Sequence, residues 1–177
     1  MSDYTEKKYK SELAKKEKEQ QIPTVGAMAA HILANLRIHN LKLQQYIWFV
    51  KGPFRPALRT VFDQLREKTY QSFDELGELL LDNDQIVPTT TREFLNLSML
   101  EENGAYKYAK AEDMVKDVIG DLATQNIFLD RTISLTDKEN LNDVFVHFLI
   151  HLKADNQRAI RELQFFLGNS VYQGLDE

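Results

Sequence analysis

Asp74 and Glu78 stand four residues apart in this 177-residue chain. On a helix two carboxylates at that spacing project from one face, one turn apart, where they can share a cation. They lie in the stretch 44–80, which also holds the only tryptophan, Trp48, a break at Lys51-Gly52-Pro53, a second proline at Pro56, and Asp63. A helix–break–helix with paired carboxylates and an aromatic beside the break points to a metal-binding bundle. A second constellation is His147, His151 and Asp155, at i, i+4 and i+8. Two imidazoles one turn apart can share a transition metal with a carboxylate as third ligand. The alternative is a polar stripe facing solvent or a neighbouring subunit. A third is the cluster Asp130, Asp137, Glu139 and Asp143, where one helical pattern gives way to the next. Such acids are usually only solvated, but in an assembly they can line a cation pore.

Several chemistries are excluded. The four histidines, His31, His39, His147 and His151, are preceded three residues earlier by Met28, Leu36, Val144 and Phe148. No Glu-x-x-His exists, so the usual within-bundle di-iron site is not encoded. No HExxH, glycine-rich phosphate loop or nucleophile elbow occurs. The absence of cysteine removes thiolate metal sites and fits a reducing cytosol. No apolar run approaches the roughly 20 residues that span a bilayer, and the lysine-rich start has no apolar core, so it does not read as a signal peptide. A cytoplasmic protein with no membrane partner is expected.

The elements that must position these residues are helices. Hydrophobic content is 43% and charged content 28%, ordinary for one globular domain. Proline, excluded from helix interiors, occurs only at Pro23, Pro53, Pro56 and Pro88. Apolar residues at helical spacing predict long helices over 24–50, 57–82 and 111–134. A capping box at Thr90–Glu93 opens a short helix over 92–100. Thr136-Asp137-Lys138-Glu139 reads as another, opening a last helix of about 30 residues that stops at Gly168. The long connection 83–108 is unlike a tight hairpin and suits parallel second and third long helices. The expected class is all-α: a ferritin-like four-helix bundle with a short helix in the long crossover and an extra N-terminal helix.

That extra helix sets the domain division: a lysine-rich arm, 1–22, and a bundle, 23–177. The first 20 residues hold six lysines and five acids, so the net charge of −5 resides in the body. Lys7, Lys8, Lys10, Lys15 and Lys18 fall on one broad helical face, and Lys16 adds a sixth cation. Tyr4, Tyr9, Leu13 and Ala14 form no continuous apolar stripe, so the helix projects from the body. It is either a solvated leader or a cationic arm for nucleic-acid phosphates.

Tyr46-Ile47-Trp48-Phe49-Val50-Lys51-Gly52-Pro53 resembles the His-Trp-x-x-(Lys/Arg)-Gly pattern of the Dps family, the DNA-protecting mini-ferritins of starved bacterial cells. Further matches follow in register: Phe62-Asp63, then Asp74-Glu75-Leu76-Gly77-Glu78 for the family's Asp-x-x-x-Glu, then Pro88 with Thr-Arg-Glu-Phe-Leu. Leu135-Thr136-Asp137-Lys138-Glu139 and Phe166-Leu167-Gly168 continue the resemblance, which covers about residues 24 to 170.

The resemblance implies a hollow homododecamer in which iron enters through acidic pores and is stored as a ferric mineral. It is oxidised, preferably by peroxide, at sites shared between two subunits. A histidine pair on one subunit and the Asp-x-x-x-Glu carboxylates of its partner supply the ligands. Here the carboxylates stand as Asp74 and Glu78, but the histidine positions hold Ile47 and Arg59. Asp63 remains as an extra ligand, and Arg59 is able to reach the partner's carboxylates as a bidentate pair. The expectation is a nucleoid-associated shell protein that binds and protects DNA without sequence specificity, takes up iron, and carries a degenerate intersubunit oxidation site. The alternative is a peroxide-dependent ferroxidase using non-standard ligands such as His147, His151 or the pore carboxylates.

Overall fold

The computed structural model describes residues 3–19, 23–139 and 142–175. The side chains of Lys16, Lys18 and Asp137 lie outside the described residues. The chain forms α1 (Asp3–Glu19), α2 (Val25–Phe49), α3 (Arg55–Asp82), α4 (Thr91–Leu97), α5 (Ala111–Glu139) and α6 (Asp143–Phe166). A 3-10 helix covers Gly104–Tyr108, and no strand occurs among the described residues.

Local chemistry explains the boundaries. Thr24 caps α2 by accepting from the Ala27 N–H at 3.1 Å. After α2, Gly52 takes φ +94°, which a residue without Cβ adopts at little cost. Pro56 sits in the first turn of α3, where its missing N–H has no partner to lose. This tight reversal folds α3 back along α2.

Side-chain pairs fix the remaining directions. His39 meets Asp121 and Tyr46 meets Asp117, so numbers rise on α2 as they fall on α5. Lys153 meets Asp130 and Asn156 meets Asn126, which makes α5 and α6 antiparallel as well. Thus α3 and α5 run parallel, and the long connection between them is the crossover expected from the sequence. Thr90 and Glu93 form the expected capping box of α4. His31 Nδ1 lies 2.6 Å from the Leu97 carbonyl oxygen, and Asn35 Oδ1 accepts from the Met99 N–H at 2.8 Å. The crossover is thereby bonded to α2.

Boundaries differ from expectation in two places: α4 ends at Leu97 and not at residue 100, and the α5–α6 junction is shifted. α5 does not stop at residue 134; it continues to Glu139. Thr136 is buried inside it and donates to the Ile133 carbonyl oxygen at 2.7 Å, so it caps nothing. The cap of α6 is Asn142, whose side chain accepts from the Phe145 N–H at 2.9 Å. Glu139 instead accepts from the Val25 N–H at 2.9 Å, satisfying a free donor at the start of α2. The last helix is accordingly 24 residues long.

The core falls into two apolar clusters. One joins Ile32, Leu33 and Leu36 to Leu76, Leu80, Leu129, Phe145 and Leu149. The other joins Leu43, Tyr46, Ile47 and Val50 to Leu58, Phe62, Met114, Val118 and Leu163. At mid-height each long helix contributes a buried polar side chain: His39, Thr69, Gln125 and Asn156. α1 contributes to neither cluster. Its apolar side chains are exposed, Tyr4 at 68%.

Candidate functional site

Asp74 and Glu78 lie exposed on α3, one turn apart, as the spacing predicts. They edge a groove lined by Leu33, Arg37, Tyr70, Phe73 and Phe94. Asp63 is on the same helix but about 16 Å away along its axis. It is held by Arg66 at 2.9 Å. Arg59 is about 22 Å from Asp74 by the same rise per residue. Ile47 is buried in the second apolar cluster, beside Leu58 and Phe62, whereas Phe73 and Leu76 flank the carboxylates in the first. One chain therefore does not bring Ile47, Arg59 and Asp63 onto Asp74 and Glu78.

His147 and His151 do converge. Their Nε2 atoms are 3.1 Å apart and their ring centroids 4.2 Å apart, both side chains being exposed on α6. Asp155 is bonded to Arg158 at 2.7 Å. Of the junction acids, Asp130 pairs with Lys153, Glu139 holds the Val25 N–H, and Asp143 opens α6. Among the described residues no three His, Asp or Glu side chains gather as a metal-holding group.

A buried ionic network escaped the sequence reading. Lys42 Nζ lies 2.8 Å from Asp117 and 2.6 Å from Asp121. Asp121 also meets His39 Nδ1 at 2.9 Å, and Tyr46 donates to Asp117 at 2.6 Å. Burial by itself pulls the Lys42 ammonium down. The attraction of Asp121 and the hydrogen bonds to Asp117 and Asp121 more than offset it and hold the group above its usual range. Burial, then the bond to Asp117, pushes the Tyr46 phenol well above its ordinary range. The spacing 39, 42, 46 against 117, 121 is the signal that could have found it, but only if α2 and α5 were known to be neighbours.

The arm presents Lys7, Lys8, Lys10 and Lys15 on its exposed surface. Lys7 pairs with Asp3 at 2.7 Å, a contact open to solvent on both sides. Lys8 stands 6.0 Å above the Tyr4 ring. Lys16 and Lys18 are among the side chains outside the described residues.

The ferritin-like domain family matches residues 28–170. A DNA protection during starvation protein of Listeria innocua is 30% identical over 140 residues, spanning 79% of this chain and 89% of that protein. The chain belongs to the Dps family. Among solved structures, Lactococcus lactis MG1363 DpsB superposes on this Dps chain with a TM-score of 0.90, at 34% identity over 95% of this chain and 96% of that one. DpsA of the same organism gives 0.89 at 29% identity, covering 95% and 98%. Dps from Listeria monocytogenes gives 0.81 at 27% identity, covering 85% and 97%. A match over 95% of 177 residues leaves fewer residues outside than the 17 of α1, so the likeness to the Lactococcus structures reaches into the arm. No helix of the described residues is long and apolar enough to cross a membrane.

Proposed function

We propose that this Dps chain is the subunit of a DNA-protecting homododecameric shell that binds DNA through α1 and takes iron into its cavity. The observation that carries the reading is the arm: a 17-residue helix that joins neither core cluster and exposes Lys7, Lys8, Lys10 and Lys15. A helix that buries so little is retained for its surface, and that surface is rich in lysine while the body is acidic. One arm with near-balanced charge binds phosphates weakly. Twelve arms on one shell act together through high local concentration and counterion release. Contacts fall on phosphates, so binding is independent of sequence and the shell sits with the nucleoid in the cytoplasm.

The same reading holds that the intersubunit oxidation site is lost. Ile47 is apolar and core-packed where the family has a ligand, and Arg59 brings a fixed positive charge to the other position. Across a two-fold contact Arg59 neutralises Asp74 and Glu78, which then serve as interface ion pairs. The exposed Trp48, Phe54, Tyr70 and Leu81 supply apolar area for such contacts. Iron is cargo in this account, drawn in by the acids near the α5–α6 junction, including Asp130, Asp137, Glu139 and Asp143.

The test is a gel-shift comparison of the intact protein with a form lacking residues 1–20. The expected result is loss of the shift on deletion and strong weakening of intact binding by salt. Equal shifts, or binding insensitive to salt, would sink the proposal.

A further inference from the structure

The geometry points to a bidentate site for a divalent transition metal on α6, made by the imidazoles of His147 and His151. Their Nε2 atoms face one another at 3.1 Å. Metal–imidazole bonds of about 2.0–2.1 Å place two cis nitrogens about 2.9 Å apart at a right angle and about 3.3 Å apart at a tetrahedral angle. The observed separation of 3.1 Å falls between those limits. The rings lie side by side on one helix, 4.2 Å between centroids and tilted by 50°.

The surroundings decide what kind of ion is taken. Asp155 is engaged with Arg158 and Asp130 with Lys153, and among the described residues no third His, Asp or Glu side chain gathers with the pair. The donor set is thus two imidazole nitrogens, which suit Cu²⁺, Ni²⁺ or Zn²⁺ and discriminate against Mg²⁺ and Ca²⁺. Both side chains are exposed, which leaves the remaining coordination positions open to water. The site differs from the three-ligand arrangement the sequence allows, because Asp155 is not part of it. It is also independent of Asp74 and Glu78 and of the arm.

Titration of the full assembled protein with Cu²⁺, followed by electron paramagnetic resonance, tests the assignment. The expected spectrum shows one bound ion per chain with hyperfine structure from two imidazole nitrogens. His147→Ala and His151→Ala each reduce this to one nitrogen and weaken binding about tenfold or more, since a chelate becomes a single bond. Asp155→Asn and Asp143→Asn retain the two-nitrogen signal. Excess Mg²⁺ leaves it unchanged. A two-nitrogen spectrum that survives the double His147→Ala/His151→Ala variant would overturn the assignment. So would its loss in Asp155→Asn, or its absence in the intact protein. All four side chains are exposed, and an unchanged helical spectrum and assembly size verify that each variant is folded.

Discussion

Lys42 Nζ lies 2.6 Å from Asp121 Oδ1, and the two side chains are only 5% and 7% exposed. The pair links α2 to α5 at mid-height, between the two apolar clusters. It is not alone: His39 and Tyr46 on α2 and Asp117 on α5 extend it along the seam. Every charge in it has a partner, which is the condition under which buried charge is tolerated.

Removing one member should therefore cost more than the pair contributes. Lys42→Met leaves Asp117 and Asp121 facing each other without a cation, and is expected to lower stability by about 3 kcal/mol or more. Asp121→Asn strands the ammonium in part and should cost a similar amount. The double variant Lys42→Met/Asp121→Leu should cost clearly less than the sum. Chemical denaturation followed by circular dichroism measures all three; additive losses would refute the coupling.

The same seam predicts alkaline sensitivity. Lys42 is raised above its ordinary 10.5 and Tyr46 above its ordinary 10.0. A raised group holds its proton in the folded state after the unfolded chain has released it. Its stabilisation is therefore complete below the unfolded value and is lost as pH rises towards the folded one. Melting temperature should fall steadily above about pH 10. Tyr46→Phe should flatten that fall, and thermal melts from pH 8 to 12 read it directly.

At the α5–α6 junction the helix cap should be Asn142 and not Thr136. Asn142→Ala is expected to cost about 1 kcal/mol, the usual worth of an N-cap. Thr136→Val keeps the buried shape and removes only a hydroxyl bonded within its own helix, so it should change stability by no more than about 0.5 kcal/mol. The reverse ranking in denaturation midpoints would restore the sequence expectation.

The proposed loss of the intersubunit oxidation site makes a kinetic prediction. If the site is lost as proposed, Fe(II) oxidation by peroxide, measured after anaerobic loading, should change by less than about twofold in Asp74→Asn or Glu78→Gln. A large loss in either variant would show that the site works without its histidines.

For the arm, Lys7→Ala, Lys8→Ala and Lys10→Ala combined should weaken DNA binding on every sequence alike. They should also reduce the slope of log affinity against log salt by about 0.9 for each phosphate contact removed. Fluorescence anisotropy at several salt concentrations gives both quantities.

The long helices, their order and the Dps resemblance were legible in the chain alone. Apolar periodicity and proline position are local properties, and the Asp74/Glu78 spacing and the Thr90–Glu93 box are fixed by a few neighbouring residues. The start of α6 was misread because Thr-Asp-Lys-Glu also fits a helix interior, and burial of Thr136 chose between the two. The Lys42 network was invisible for a deeper reason. His39 and Lys42 look like polar interruptions of an apolar stripe, and Asp117 and Asp121 look like solvated acids. Only the antiparallel packing of α2 on α5 brings opposite charges together, and no local pattern encodes which residues meet across a seam. The carboxylates show the same division. Sequence set Asp74 and Glu78 one turn apart on α3. The helical rise puts Arg59 about 22 Å from Asp74 on α3, but only the fold buries Ile47 in the second apolar cluster while Leu76 joins the first.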